Sequence, residues 1–301
     1  MDRDRLPQPN PPTLLTADPV PRVVTGLAEL RAALGGVAPG LVPTMGALHA
    51  GHLALIRRAA AENPVVVVSV FVNPGQFDDP ADLARYPRDL GRDAALAAAA
   101  GADLVFAPDV GAIYPPGFAT AVEVAGLADR WEGAARPGHF RAVATVVTRL
   151  LGLVRPARAY FGEKDYQQLQ IVRRLHADLA LPGEIVGCPT VRDLNGLPLS
   201  SRNGRLAADA RRRAAVVPRA LERMADLAAA GEGDAACLVA AGRAVLDAEP
   251  AAAVDYLAVV DPATLDPVPR VGDGARALLA VRLGGVHLLD NVALGPGATA
   301  P

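Results

Sequence analysis

Short apolar runs alternate with amphipathic stretches over the first two thirds of the chain. Val65–Val72 is apolar and β-branched on both faces, which is typical of a central strand in a parallel sheet. The same criteria predict further strands at Leu41–Thr44, Asp103–Ala107, Arg158–Phe161 and Glu184–Gly187, and helices at His52–Ala61, Asp89–Ala100, Ala142–Val154 and Tyr166–Leu179. This alternation predicts an α/β fold, in which a parallel sheet carries helices on both faces.

The alternation of predicted strands and helices changes after about Thr190. Two helices are predicted there, at Asp209–Ala230 and Ala235–Ala248, and two strands, at Val254–Val260 and Ala277–Leu283. We therefore expect residues 22–190 to form the α/β domain and residues 191–301 a smaller α+β C-terminal domain. Residues 1–21 are rich in proline and are expected to be a flexible tail.

Composition excludes several classes of protein. The chain has 301 residues, 51% of them hydrophobic, and a net charge of -2, so neither a nucleic-acid partner nor a membrane surface is indicated. Cys188 and Cys237 show no metal-binding spacing. The apolar runs Pro64–Val72 and Ala94–Ala102 are too short to span a bilayer, and the start of the chain lacks the apolar stretch of a signal peptide. A cytoplasmic location is therefore expected.

The first cluster of candidate chemistry follows the Leu41–Thr44 strand, in the segment TMGALHAGH. His49 and His52 are three residues apart at a predicted helix start, which puts both imidazoles on one side beside unpaired backbone N–H groups. Those N–H groups and the helix dipole favour an anion such as a phosphate. A metal site is the alternative, but no acidic or cysteine cluster nearby supplies further ligands. Neither the P-loop nor the dinucleotide fingerprint is present.

Two further clusters also follow predicted strands. Asn73 and Gln76 offer carboxamides that can donate and accept hydrogen bonds, which suits a hydroxy acid, although an ordinary Asn-Pro turn is the alternative. Lys164 opens a helix in the segment GEKDYQQ, and a second helix start with a lysine suits a phosphate. A solvated charged turn is the alternative at that position.

A fourth cluster lies at the expected domain junction. The segment Leu199–Asn203 combines hydroxyls with Arg202, and such groups can hold a triphosphate as it breaks up. A polar interdomain loop is the alternative.

Taken together, these segments carry a family resemblance. The stretch PTMGALHAGH resembles the HxGH signature of the nucleotidyltransferase superfamily, in the version found in the pantoate–β-alanine ligase family. FVNPGQF, YPR, RPGHFR, FGEKDYQQL, PTVR and LSSRN are similar to further elements of that family. Gly75 stands where the family has methionine. The resemblance extends from about Val23 to Leu294 and is looser in the C-terminal part.

This resemblance implies a Rossmann-like sheet of the HxGH nucleotidyltransferase type with a C-terminal lid domain. It implies ATP-dependent condensation of (R)-pantoate with β-alanine to pantothenate through a pantoyl-adenylate, with release of AMP and pyrophosphate. Its implied partners are these small molecules and a second copy of the chain in a homodimer, with no nucleic acid and no membrane. Mg²⁺ is expected mainly on the ATP phosphates.

The resemblance also implies residue roles. The catalytic group would be His49, His52, Lys164, Ser200, Ser201 and Arg202. ATP would be bound by Met45, Gly46, Ala47, Leu48, His49, Ala50, Gly51, His52, Gly162, Glu163, Lys164, Asp165, Val191, Leu199, Ser200, Ser201 and Arg202. Pantoate and β-alanine would meet Asn73, Gln76, Tyr86, Arg136 and Gln168, and Asp93 is a possible Mg²⁺ contact. His52 would act either as a proton donor or as a charge-stabilising hydrogen-bond donor.

Three other functions use the same fold. A nucleotidyltransferase acting on a phosphorylated acceptor would share His49 and His52 without needing Gln76 and Gln168. A tRNA synthetase would need an anticodon-binding domain and a basic surface, neither of which is indicated. A non-catalytic nucleotide-binding protein is the third alternative, and the intact set of four polar clusters weighs against it.

Overall fold

The computed structural model describes residues 21–272 and 274–295. The predicted tail therefore lies, except for Pro21, outside the described residues. The strands are β1 (Arg22–Val24), β2 (Gly40–Thr44), β3 (Val66–Val70), β4 (Leu104–Phe106), β5 (Arg158–Gly162), β6 (Glu184–Cys188), β7 (Ala253–Val260), β8 (Ala275–Leu283) and β9 (Val286–Leu294). The helices are α1 (Leu27–Leu34), α2 (Ala50–Glu62), α3 (Pro80–Arg85), α4 (Leu90–Ala99), α5 (Val110–Ile113), α6 (Glu132–Ala135), α7 (His139–Val154), α8 (Tyr166–Asp178), α9 (Ala208–Arg213), α10 (Val216–Ala229) and α11 (Ala235–Asp247).

The first six strands form one parallel sheet in the order β1-β4-β3-β2-β5-β6. Successive residues of a strand point to opposite faces, and both faces are covered here. Val67 packs into the core under α1, α7 and α8, whereas Val66 and Val68 pack into the core under α2 and α4. This confirms the predicted parallel sheet with helices on both faces, and it explains the unbroken apolar run of β3.

The cleft of this sheet opens between β2 and β5. After β2 the chain continues to β3 on one side, while β5 and β6 lie on the other, so this is the topological switch point. β2 and β5 pair only through Gly40 with Arg158 and Leu41 with Ala159. Their carboxyl ends therefore diverge, and the loops that follow them face a crevice.

The second part of the chain contains an antiparallel sheet in the order β7-β8-β9. Helices α10 and α11 cover one face of it through a core that includes Leu221, Leu238, Leu279 and Leu288. Its third strand, β9, was not predicted, nor was β1 in the first sheet. The parallel sheet ends at Cys188, and Leu197 is the first residue of the second core.

One predicted helix, Asp209–Ala230, is wrong, because the chain forms α9 and α10 instead. Pro218 explains the break. Proline has no N–H to donate to the carbonyl four residues earlier, and its ring displaces that carbonyl, which here belongs to Ala214. Pro218 therefore fits only in the first turn of a new helix.

No helix within the described residues is both long and apolar enough to cross a membrane.

Candidate active site

The predicted site segments meet at one cleft at the carboxyl ends of β2, β3 and β5. The cleft has an inner pocket of about 230 Å³ and an outer pocket of about 530 Å³. The inner pocket lies at the switch point, and the outer pocket extends between the two sheets. Residues that line both pockets are Met45, Gln76, Lys164, Asp165, Gln168, Ser200 and Arg202.

The turn between β2 and α2 is held by a buried carboxylate. Asp93 on α4 accepts hydrogen bonds from the N–H groups of Ala47, at 2.9 Å, and Leu48, at 2.8 Å. Gly46 has φ of 80°, and a Cβ there would lie 2.8 Å from Asp93 Oδ2, so glycine is required by both conformation and space.

This arrangement weighs against the expectation that Asp93 contacts Mg²⁺. Each of its carboxylate oxygens already accepts a backbone N–H, its side chain is buried, and it lines neither pocket. Its role is to shape the turn. Within residues 21–272 and 274–295 no group of three His, Cys, Asp or Glu side chains could hold a metal ion.

His49 and His52 stand together at the start of α2. Their ring centroids are 4.1 Å apart. His49 Nδ1 accepts the Gly51 N–H at 3.2 Å, and His52 Nδ1 accepts the His49 N–H at 3.4 Å. Since both Nδ1 atoms act as acceptors, each neutral ring carries its proton on Nε2 and can donate from there.

Both rings are held neutral. Burial, followed by the charge of Lys164, lowers the pKa of His49 to about 4. Burial, followed by the neighbouring His49, lowers the pKa of His52 to about 3. The two histidines therefore present a pair of uncharged N–H donors at neutral pH.

Lys164 lies in the 3-10 turn Glu163–Asp165 that links β5 to α8. Its Nζ is 3.1 Å from Asp165 Oδ1, and its side chain lines both pockets. The turn is held from the second sheet, because Asn291 Nδ2 donates to the carbonyls of Glu163, at 2.9 Å, and Lys164, at 3.0 Å. Arg276 adds an ion pair of 3.1 Å to the Glu163 carboxylate.

Gln76 reaches both pockets, whereas its neighbour Asn73 does not. Asn73 is buried, and its Nδ2 donates to Gln76 Oε1 at 3.0 Å. Tyr114 donates to Asn73 Oδ1 at 3.0 Å. The Asn73 amide is therefore committed to orienting Gln76, which weighs against a direct contact between Asn73 and substrate. The bond to Gln76 Oε1 leaves the Gln76 NH₂ group as the donor available to a ligand.

Gly75 sits in the same turn, close to α7. A Cβ at this position would lie 3.3 Å from the Ala142 Cβ, a tight contact. The 3-10 turn Pro74–Gln76 therefore approaches α7 closely.

Arg136 and Tyr86 both line the cleft, but their polar groups are already paired. Arg136 donates to the Gln76 carbonyl at 2.8 Å and to Asp78 at 2.6 Å. The Tyr86 hydroxyl is 3.5 Å from Ser201 Oγ. Gln168, by contrast, lines both pockets and has no hydrogen-bond partner for its amide among the residues described.

The Ser-Ser-Arg segment closes the cleft at the junction of the two parts. Ser200 Oγ accepts the Arg202 N–H at 3.2 Å, and the Arg202 guanidinium is 3.3 Å from Asp82 on α3. Asp82 also pairs with Arg205 at 2.5 Å. Arg202 is thus turned toward a carboxylate that sequence reasoning did not consider.

Most residues expected to bind ATP line the inner pocket. Those that do are Met45, His49, Gly51, His52, Gly162, Lys164, Asp165, Val191, Leu199, Ser200, Ser201 and Arg202. Gly46, Ala47, Leu48, Ala50 and Glu163 line neither pocket. Leu48 is buried in the core beneath α2, and Glu163 turns toward Arg276.

Sequence reasoning missed several polar side chains of the cleft, because their signal is spatial. Asp82, Glu132, His287 and Asn291 line the outer pocket, yet no strand end or motif spacing marks Asp82, Glu132 or His287. Asn291 lies in the C-terminal part, where the resemblance is looser and did not indicate a contact with Lys164.

Two neutral histidines begin the helix at the switch point of a parallel sheet, and the turn that carries Lys164 lines the same pocket. This combination defines a nucleotide-binding enzyme of the HxGH nucleotidyltransferase class. Sequence and structure comparisons narrow the class. A sequence model of the pantoate-beta-alanine ligase family matches residues 22–293. The chain is 55% identical to pantothenate synthetase of Thermus thermophilus over 276 residues, covering 91% of this chain and 100% of that one. It is 58% identical to pantothenate synthetase of Deinococcus radiodurans over 269 residues, covering 87% and 94% of the two chains.

Solved structures agree with this result. The crystal structure of pantothenate synthetase from Thermus thermophilus superposes with a TM-score of 0.89 at 55% identity, covering 91% of this chain and 100% of that one. Pantoate-beta-alanine ligase from Francisella tularensis, solved in complex with β-γ ATP and β-alanine, superposes with a TM-score of 0.74 at 33% identity, covering 90% and 97%. The chain therefore belongs to the pantoate-beta-alanine ligase family, and it is an enzyme that joins pantoate to β-alanine. Family membership selects the ligase over the three alternative functions.

Proposed function

We propose that this enzyme makes pantothenate in two steps within the cleft. The pantoate carboxylate attacks the α-phosphorus of ATP and pyrophosphate leaves; the β-alanine amine then attacks the acyl carbon and AMP leaves. One observation carries the proposal. The groups suited to a triphosphate, His49, His52 and Lys164, line the same inner pocket as the available NH₂ group of Gln76 and the amide of Gln168.

The triphosphate is assigned to the α2 helix start and the groups opposite it. Neutral His49 and His52 donate from Nε2, Lys164 supplies a positive charge, and Ser200, Ser201 and Arg202 close over the leaving pyrophosphate. A ring with a pKa of about 3 is uncharged at neutral pH and is therefore a poor general acid. His52 therefore acts as a hydrogen-bond donor to developing charge rather than as a general acid.

Pantoate is assigned to the wall formed by α7. Val143, Val146 and Val147 line the inner pocket beside the two glutamine amides. Such a wall matches the two methyl groups of pantoate, while Gln76 and Gln168 match its hydroxyls and carboxylate. Asn73 and Arg136 support Gln76 from behind, and Tyr86 supports Ser201.

The adenosine is assigned to Met45 and Gly51 and to the backbone of Gly162–Asp165 and Val191. Gly51 has no side chain, so a flat ring can approach the start of α2 closely. Mg²⁺ is proposed to enter as part of the ATP complex, held by phosphate oxygens and water, which is how this cation is often bound.

Closure by the second part of the chain is also proposed. An acyl-adenylate is readily hydrolysed, and the outer pocket is lined from both parts of the chain, so a small rotation can exclude water. Hydrogen exchange at Ser200–Asn203 with and without ATP tests this. Unchanged protection in this segment would count against closure.

A homodimer is proposed from the family resemblance alone, and light scattering of the purified enzyme tests it. A monomer across the working concentration range would refute it. The cytoplasmic location stays a prediction from the sequence.

The central experiment follows AMP and pyrophosphate. Purified enzyme is mixed with ATP, Mg²⁺ and pantoate, with and without β-alanine, and compared with His52→Ala and with His176→Ala, a histidine on α8 outside the cleft. Sustained AMP release that needs both substrates, is lost in His52→Ala and is retained in His176→Ala supports the proposal. ATP binding without AMP formation under either condition would overturn it.

A further inference from the structure

Glu132 is a buried carboxylate that the steps above do not use. It begins α6, lines the outer pocket, and is only 4% exposed. Its Oε2 has no hydrogen-bond partner among the described residues. Its Oε1 lies 3.6 Å from Arg136 Nη1, too far for a hydrogen bond. An unpaired buried carboxylate is costly, so this oxygen calls for a proton or for a donor from a ligand.

The backbone around Glu132 is held in place with some strain. Trp131 has φ of 50°, a conformation that a bulky residue rarely adopts. The Trp131 indole donates to the Leu265 carbonyl at 3.0 Å, and Gln167 Oε1 accepts the Glu132 N–H at 3.1 Å. The backbone of Glu132 is therefore fixed beside the outer pocket.

A chain of titratable groups leads from Glu132 toward the surface. His287 Nδ1 on β9 is 3.5 Å from Glu132 Oε1, and His287 Nε2 is 3.2 Å from Asp255 Oδ2 on β7. The Asp255 side chain is 22% exposed and also pairs with Arg282 at 3.0 Å. The imidazole therefore lies between the buried carboxylate and a partly exposed one, although its Nε2 makes no hydrogen bond within the described residues.

Glu132 also lies on the Gln76 side of the cleft. Arg136 connects them, because it approaches Glu132 and donates to the Gln76 carbonyl at 2.8 Å. Glu132 and Gln76 therefore share Arg136 as a neighbour, and both line the outer pocket. An amine that enters through the outer pocket meets Glu132 before it reaches the acyl carbon.

We propose that Glu132 accepts a proton from the ammonium group of β-alanine, and that His287 and Asp255 position it and return the proton to solvent. The inference rests on the proposed two-step reaction. An N–H bond of the ammonium breaks, the proton joins the carboxylate, and the electron pair stays on nitrogen. That pair forms the C–N bond, while the acyl C–O bond breaks and its electrons leave with AMP. A second proton is lost from nitrogen to water as the amide forms.

The ionisation of Glu132 suits this role. Burial raises its pKa to about 7, and the Arg136 guanidinium partly opposes that rise. At neutral pH a substantial fraction of the carboxyl is charged and can accept a proton, and the protonated form can release it. The groups that face it from the neighbouring elements are Arg136, Lys164, Asp165, Asp255, Tyr256 and His287.

The test separates the two half-reactions in the full-length enzyme. Adenylate formation is measured as pyrophosphate released with ATP, Mg²⁺ and pantoate, and amide formation as pantothenate made after β-alanine is added. In Glu132→Gln, amide formation is expected to fall about 100-fold more than adenylate formation, the typical contribution of a general base. His176→Gln is the matched control for His287→Gln, which should slow amide formation by a smaller factor that added imidazole restores.

Two further readouts distinguish a base from a structural residue. Hydroxylamine is uncharged at neutral pH, so its reaction with the adenylate should survive Glu132→Gln while the reaction of β-alanine is lost. Amide formation by the wild-type enzyme should rise with pH through about 7, the pKa of Glu132, and this limb should disappear in Glu132→Gln.

Equal losses in both half-reactions, or equal losses with hydroxylamine and β-alanine, would overturn the inference and leave Glu132 a structural residue. Absence of pyrophosphate release in the wild-type enzyme would instead refute the proposed function itself. The two failures are thus distinguishable in one set of measurements.

Discussion

Asn73 Nδ2 donates a 3.0 Å hydrogen bond to Gln76 Oε1, so a residue that does not reach the cleft orients one that does. We expect Asn73→Ala to lower kcat/KM for pantoate about 10- to 100-fold, because the Gln76 amide loses its fixed direction. Steady-state kinetics at varied pantoate measure this. Tyr114→Phe removes only the 3.0 Å bond to Asn73 Oδ1 and should cause a smaller loss. Equal losses in the two variants would contradict this order of importance.

Asp93 tests the distinction between a metal ligand and a turn support. In Asp93→Asn the amide NH₂ group would face one of the two backbone N–H groups at 2.8 and 2.9 Å. We expect a loss of about 1–3 kcal/mol in the free energy of unfolding, measured by urea denaturation, since a buried donor loses its acceptor. The Mg²⁺ concentration for half-maximal activity should not change. A higher Mg²⁺ concentration for half-maximal activity in the variant would instead indicate that Asp93 contacts the metal.

Asp82 pairs with Arg202, the arginine proposed to bind the ATP phosphates. Its carboxylate is 3.3 Å from Arg202 and 2.5 Å from Arg205, so phosphate binding must displace or share this pairing. We expect Asp82→Asn to tighten ATP binding about 3- to 10-fold at low salt, as measured by calorimetry, and less at high salt. Asp209→Asn, which removes an ion-pair partner of Arg212 and Arg213 in α9, is the control. Weaker ATP binding in Asp82→Asn would show that the carboxylate supports the site.

The low pKa of His52 predicts a specific dependence of stability on pH. In the unfolded chain this ring takes up a proton near pH 6.5, whereas in the folded protein it does so only at about pH 3. The folded state therefore loses stability as pH falls below 6.5, and the loss is complete near 3. The variant His52→Gln lacks this pH-dependent contribution to the free energy of unfolding. Between pH 7 and pH 5 the wild type should lose about 1–2 kcal/mol more than the variant in urea unfolding.

An equal loss in the two proteins would mean that His52 ionises normally. The same measurement on His176→Gln gives the change expected from a histidine outside the cleft.

Much of the fold could be predicted because its information is local. The β-branched run of β3 and the glycine-containing turns after β2 and β5 carry their own signals, and both lie where expected. β1 has only three residues beside Pro21, too few to show a period. β9 was missed because His287, Asp290 and Asn291 interrupt its apolar pattern, and these residues are polar since they reach the cleft or pair with Arg192.

The site was predictable only in part for the same reason. Motif segments locate the histidines and Lys164, but they do not separate a ligand contact from its support. Asn73 and Asp93 look available in the sequence, and only packing shows that their amide and carboxylate are already engaged. Glu132 has no marking motif, because its significance arises from burial and from His287, which is remote in sequence.

The bracing of the Lys164 turn by Asn291 has a consequence for how this enzyme can be taken apart. Two carbonyls of the turn are held by one amide from β9, and Arg276 on β8 holds the adjoining glutamate. The turn that carries Lys164, proposed to bind phosphate, is therefore held by residues from both halves of the polypeptide. A chimaera could receive its C-terminal half from a relative. Its Lys164 turn would keep these contacts only if the new half also had arginine and asparagine at the positions of Arg276 and Asn291.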